Sequence, residues 1–248
     1  MGPLGNNNIK RHKGHLVMIH LNQYYNQEAT YSQFPKVREI EDAYKKFCLE
    51  DAKWHKYGRS FDCAVSLYNV DFKDKVVYEL GARDSLFCSY LTKDASKVFA
   101  SDVFLGWGDL GDLDYWTKLW KKSAINPERL TCEFQDMTSL TYADDSADIV
   151  VSFSAIEHIH QGDTKAIIEA SRVCKPGGTI IIGTDACASH NWVRGGYFYD
   201  NASLKERLID PSGCELIGET SFDFNNCDKH NIGNFQFTSC IFFLKKPE

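Results

Sequence analysis

The 248-residue sequence has no apolar run approaching the length of about 18 residues that a membrane span requires. Its longest apolar stretches, 149–151, 180–182 and 241–244, are of strand length. No C-x-x-C pair occurs among its nine cysteines, at positions 48, 63, 88, 132, 174, 187, 214, 227 and 240. Their odd number and wide spacing argue against a disulfide framework and against a structural zinc site, so no metal is expected. Cys132, Cys174 and Cys240 lie inside apolar runs, where a reduced cysteine serves as a small hydrophobe. A reducing, cytoplasmic compartment is the expectation. Positive charge is in deficit: 28 Lys and Arg against 34 Asp and Glu leave a net charge of −6. That balance argues against a broad phosphate-backbone contact surface and makes nucleic acid a secondary hypothesis. The opening stretch MGPLGNNNIKRHKGH lacks an apolar segment and a small-residue cleavage site, so it is read as no secretory signal. Its first five residues look partly like an expression tag and are left out of the fold reading.

What is present is ordinary globular composition, 43% hydrophobic and 25% charged, without internal repeats or low-complexity segments. Residues 34–57 show helical spacing of Val37, Ile40, Ala43, Tyr44, Phe47 and Cys48. From 75 onward, strands alternate with helices. Strands are predicted at 75–80 (KVVYEL), 97–101 (KVFAS), 130–135 (LTCEFQ), 147–152 (ADIVVS) and 179–183 (TIIIG). Helices are predicted at 85–92, within 104–127, and at 163–173, the last stopped by Lys175-Pro176-Gly177-Gly178. Two late strands, 215–218 and 235–245, suggest an antiparallel edge pair. This order predicts an α/β fold with a doubly wound, Rossmann-like, mostly parallel seven-stranded sheet and an antiparallel edge hairpin. The expected organisation is an N-terminal extension over 1–33 and a single domain over 34–248 with a helical insertion at about 104–128.

In such a sheet, ligands bind beyond the carboxyl ends of the strands. Those positions carry Glu79-Leu-Gly81-Ala-Arg-Asp84-Ser85, Asp102, Gln135-Asp136-Met137 and Ser152-Phe-Ser-Ala-Ile-Glu157-His158-Ile159. A pyrophosphate would want a glycine-rich turn. The turn after the first strand instead has Gly81 alone and the acids Glu79 and Asp84, which repel a dianion and suit a cation. An NAD-dependent reading of the same fold would have to rely on Arg83 for a phosphate.

At these residues the chain resembles the class I SAM-dependent methyltransferases, especially the group of ubiquinone and menaquinone C-methyltransferases and small-molecule O-methyltransferases. VYELGARDS stands at the family's first motif, with Arg83 and Ser85 in place of the second and third glycines. SFSAIEHI and RVCKPGG match the fourth- and fifth-strand signatures. The resemblance implies S-adenosylmethionine (SAM) as cofactor and S-adenosylhomocysteine as product. It implies Glu79, Gly81, Ala82, Asp102, Val103, Asp136, Met137 and Ser154 as cofactor-binding residues, with Asp102 on the ribose and Asp136 on the adenine amine. His158 is the candidate base, assisted by Asp185, with His160 and His190 nearby in sequence. Trp107, Trp116 and Trp120 are candidates for a pocket wall, and Tyr24-Tyr25 for a lid, although both sets also suit plain packing.

The segment FYDNASLKERLIDPSGCELIGE at 198–219 looks similar to tails of methyltransferases of cell-surface polysaccharide and secondary-metabolite pathways. It points to O-methylation of a sugar, a sugar phosphate or a related polysaccharide precursor, so a small-molecule or glycan-type acceptor is the expected partner. Two alternatives stand beside this one. Arg83 and Ser85 suggest a methyltransferase-like binding protein without catalysis. The other, an RNA or protein methyltransferase, is disfavoured by the acidic balance and by SFSA at the position of an amine-methylating signature.

Overall fold

The β-branched stretches between 75 and 186 lie side by side in one sheet. The computed structural model describes residues 11–12, 15–16, 21–48, 59–104, 111–193 and 195–248. Five parallel strands form its centre: Val76–Leu80, Lys97–Asp102, Leu130–Phe134, Ala147–Phe153 and Cys174–Ala186, called here the first to fifth. Their spatial order is third, second, first, fourth, fifth, so the direction of winding reverses between the first and fourth strands. Phe235–Lys245 runs antiparallel beside the fifth strand, with Ile241 opposite Gly183. Ile149, Val150 and Val151 of the fourth strand and Ile180, Ile181 and Ile182 of the fifth are all buried, as expected of strands covered on both faces.

The two coverings are distinct cores. On one face the helices Pro35–Phe47, Arg59–Asn69, Phe87–Leu91 and Leu113–Ser123 bring Tyr44, Phe61, Phe87 and Trp120 against Val77, Val151 and Phe243. On the other, the helix Asp163–Val173 buries Ala166, Ile167, Ala170 and Val173, at the three- and four-residue spacing of one helical stripe, against Tyr78, Val150, Ile180 and Phe242. Among the described residues no helix is long and apolar enough to cross a membrane.

Several elements differ in extent from the sequence-based expectation. The sheet has ten strands where seven were expected. One is Leu21–Tyr24, from the stretch read as an extension, which pairs with Cys240 and Ile241 and is flanked in turn by Glu219–Ser221. The late antiparallel pair exists, but Glu215–Leu216 contributes only two residues to it. The expected stop at Pro176-Gly177-Gly178 lies within the fifth strand, where Gly177 (φ +69°) and Gly178 exchange backbone hydrogen bonds with Lys246. The N-terminal helix ends at Phe47, and the rest of its expected span, from 49, lies outside the described residues. Of the helical insertion, Leu113–Ser123 is a helix, capped by the Asp112 carboxylate accepting from the Tyr115 N–H at 3.0 Å. The helix Arg59–Asn69 had no counterpart in the sequence reading.

Candidate functional site

The carboxyl ends of the first, third and fourth strands converge at the point where the winding reverses. Gly81, just past the first strand, has φ +72°. A Cβ built on it would fall 2.2 Å from the Ala155 Cβ after the fourth strand, and 3.6 Å from the Met137 Sδ after the third. Only glycine meets both demands, a left-handed backbone and this closeness. The N–H groups of Gly81 and Ala82 both donate to the Ser101 carbonyl, at 2.8 and 2.9 Å, which prolongs the pairing with the second strand and buries Ala82.

The second strand ends on Asp102. Its Oδ1 accepts from the Phe104 N–H at 2.7 Å and its Oδ2 from the Arg83 N–H at 3.2 Å, so the carboxylate is fixed between two turns while remaining half exposed. Val103 beside it is half-buried. Asp136 is exposed, and its Oδ1 accepts from both the N–H and the hydroxyl of Thr138 at 2.8 Å. Ser154 holds a left-handed φ of +51° and donates its N–H to the Gly183 carbonyl at 2.9 Å.

Arg83 and Ser85, the departures from the glycine motif, have local roles. The Arg83 N–H anchors Asp102. The Ser85 hydroxyl accepts from the Phe87 N–H at 2.9 Å, and the Ser85 carbonyl accepts from Trp120 Nε1 at 2.7 Å. Trp116 and Trp120 are therefore core residues and not pocket wall: both are buried, and the indole of Trp120 pins the turn after the first strand from beneath. Trp107 lies outside the described residues. Tyr24 is buried within its strand and Tyr25 stacks between Phe61 and His230, so both are packing residues in this structure.

Glu79 points from the first strand into the helix-covered core. It is 1% exposed, and its Oε2 has no hydrogen-bond partner. Burial pushes its carboxyl up to about 8, against the opposing pull of the Ser85 hydroxyl and the Cys88 N–H. With no cation beside it this carboxyl keeps its proton near neutral pH, and a cationic group brought to its unpartnered oxygen would favour the ionised form.

Past the fourth strand, His158 Nδ1 lies 3.0 Å from the Gly195 carbonyl. A carbonyl only accepts, so Nδ1 carries the proton and the basic lone pair belongs to Nε2. The ring lies against Gly196, where a Cβ would come within 3.1 Å of Nδ1. His160 stacks with Tyr197 and meets Trp192 edge-on, and His190 stacks on Tyr197.

Asp185, on the fifth strand, is buried and ion-paired to Arg59 Nη2 at 2.6 Å. Burial raises its pKa to about 6, against the opposing pull of the Arg59 guanidinium and, less strongly, of His158. Arg59 escaped the sequence reading. A lone arginine before an apolar helix carries no motif, and its one local signal was Asp62 three residues on.

Residues 78–182 match the family described as a methyltransferase domain. Over that stretch the chain is similar to methyltransferase domains. No curated protein matches the sequence. Among solved structures, the cyclase SpnF superposes with a TM-score of 0.59 at 13% identity, over 90% of this chain and 97% of its own. A protein from Bacillus halodurans C-125 described as a methyltransferase gives 0.57 at 13% identity, over 75% of this chain and 99% of its own. A chain of the complex between the Haloferax volcanii Trm112 methyltransferase activator and a methyltransferase gives 0.55 at 18%, over 86% and 98%. At these identities the likeness is one of fold. SAM is the cofactor that the methyltransferase match implies, and the residues present fit it: a sulfonium and an ammonium suit the unpartnered Glu79 oxygen and the acidic strand ends far better than a pyrophosphate would.

Proposed function

We propose that the protein transfers a methyl group from SAM to a hydroxyl of a small polar acceptor. The observation that carries this reading is the convergence of Gly81, Met137 and Ala155 at the winding reversal, beside the turn in which the Arg83 N–H holds the Asp102 carboxylate. The donor supplies a methyl carbon already activated by its sulfonium, so the protein's work is alignment, exclusion of water and acceptance of one proton. In this reading Glu79 takes the cationic amino-acid end, the half-exposed Asp102 accepts from the ribose hydroxyls, and Asp136 with Met137 borders the adenine. The Gly81 turn and Ala82 let backbone approach the ligand closely, with Val103 and Ser154 completing the rim. His158 Nε2 receives the acceptor's proton as the O–C bond forms and the S–C bond breaks, its electron pair going to sulfur.

The acceptor class we favour is a sugar, a sugar phosphate or a related polysaccharide precursor, supported by the resemblance of the 198–219 segment to tails in such pathways. A cytoplasmic, reducing compartment is supported by the wide spacing of the nine cysteines, without a C-x-x-C pair. The organisation we favour is one methyltransferase domain with the N-terminal stretch packed onto it. Isothermal titration with SAM and S-adenosylhomocysteine tests the core of the reading. Wild type binds both and Asp102→Ala loses affinity at least tenfold; absence of binding by wild type at millimolar ligand overturns it.

A further inference from the structure

The guanidinium of Arg59 is enclosed by three carboxylates from three separate elements. Nη2 lies 2.6 Å from Asp185 Oδ1 on the fifth strand and 3.4 Å from Glu157 Oε1 in the turn after the fourth. Nη1 lies 3.2 Å from Asp62 Oδ2 on its own helix and donates to the Ser239 hydroxyl at 3.1 Å. Ser239 in turn donates to Asp62, and the Thr184 hydroxyl donates to Glu157 Oε2 at 3.1 Å. All four charged residues are buried, at 0–8% exposure. A buried cation this fully enclosed is costly to remove, because each carboxylate would be left in a dry site without its partner.

Glu157 and Asp185 bracket the candidate base: Glu157 is its chain neighbour, and Asp185 interacts with it electrostatically. We propose that Arg59 is a positioning residue for methyl transfer, tying the turn that carries His158 to the end of the fifth strand through its ion pairs with Glu157 and Asp185. This rests on the reading of His158 as the proton acceptor. As the sulfonium charge disappears, the proton released by the acceptor places an equal positive charge on the imidazole, and Asp185 is the carboxylate that stabilises it. Other groups facing the cluster are Asp62 from the helix, whose pKa burial lifts to about 7, Cys187 just past the fifth strand, Cys240 on the antiparallel strand, and His230, lowered by burial and by the Arg59 charge.

The test uses the full chain labelled with 15N-histidine, following the ring titration of His158 by NMR, its signals assigned with His158→Gln. Arg59→Met combined with Asp62→Asn removes one charge of each sign, which limits the loss of fold. With the guanidinium gone, the field of Asp185 and Glu157 at His158 is no longer offset. The titration midpoint of the His158–Asp185 pair is then expected to rise by about one unit, tenfold in proton affinity. Arg59→Lys restores part of the difference, and SAM affinity by calorimetry stays within about threefold of wild type because Arg59 lies outside the cofactor residues. A folded double variant that titrates like wild type overturns the proposal. Should it not fold, Arg59→Lys decides, and an unchanged titration overturns it equally. Wild type that binds no SAM would overturn the methyltransferase reading while leaving the Arg59 measurement intact.

Discussion

Gly81 stands so close to Ala155 that a side chain on either approach path would have to displace the other: a Cβ at 81 would lie 2.2 Å from the one at 155. This contact joins the turn after the first strand to the turn after the fourth, the two turns on either side of the winding reversal. Gly81→Ala meets both the clash and the φ of +72°. The expected cost is about 2–4 kcal/mol, from the combined strain and overpacking. Urea denaturation reads the stability loss, and calorimetry with SAM is expected to show affinity reduced more than tenfold. Wild-type values in both would show that the two turns accommodate the methyl group freely.

Glu79 makes stability depend on pH with a definite sign. Its pKa in the folded state, about 8, lies above its ordinary value of 4.5. The folded protein therefore holds a proton that the unfolded chain has released, and this contribution is full below about pH 4.5 and is lost as pH rises towards 8. Glu79→Gln removes the dependence. Denaturation at pH 5.5 and pH 8.5 is expected to show a smaller loss for the variant, by an amount on the order of 1.4 kcal/mol per unit of pKa shift within that interval. Parallel slopes would locate the proton elsewhere.

Trp120→Phe deletes the indole N–H that satisfies the buried Ser85 carbonyl, and leaves unfilled volume in the helix-covered core. The predicted destabilisation is about 1–3 kcal/mol, and for a chain of this size each kcal/mol lowers Tm by roughly 2–4 °C. Because the Ser85 hydroxyl also accepts from the Phe87 N–H at the start of the helix Phe87–Leu91, next to the turn after the first strand, weaker SAM binding is expected alongside the lower Tm. A lowered Tm with wild-type affinity would confine Trp120 to packing.

His158→Gln preserves a side chain able to donate to the Gly195 carbonyl but removes the basic nitrogen. Turnover is expected to fall about 10²–10⁴-fold, the usual contribution of a general base, while SAM affinity stays at the wild-type level. Loss of SAM binding together with turnover would instead make His158 part of the cofactor site.

The legible part of this protein was local. Alternation of β-branched runs with amphipathic stretches marked the five parallel strands, and the helix at 163–173 appears with the predicted bounds. Acids falling just past strand ends marked Glu79, Asp102 and Asp136, because residues there necessarily gather at one edge of a parallel sheet. The same reasoning could not distinguish Trp120 as core from Trp120 as pocket wall, since an apolar stripe reports that a face is covered and not by what.

Sequence by itself determined the alternation of strands and helices along the chain and the acids at the carboxyl edge of the sheet, both consequences of backbone periodicity and of residue position along a strand. Tertiary structure alone decided that Leu21–Tyr24 enters the sheet beside the antiparallel strand, and that Ser85 and Arg83 serve the turns around them. It alone placed Arg59 on Asp185, 126 residues away in the chain. An ion pair between distant segments leaves no periodic trace in either of them. It exists because the helix Arg59–Asn69 packs against the fifth strand and its antiparallel neighbour, where a buried carboxylate without a cation would be too costly to keep charged.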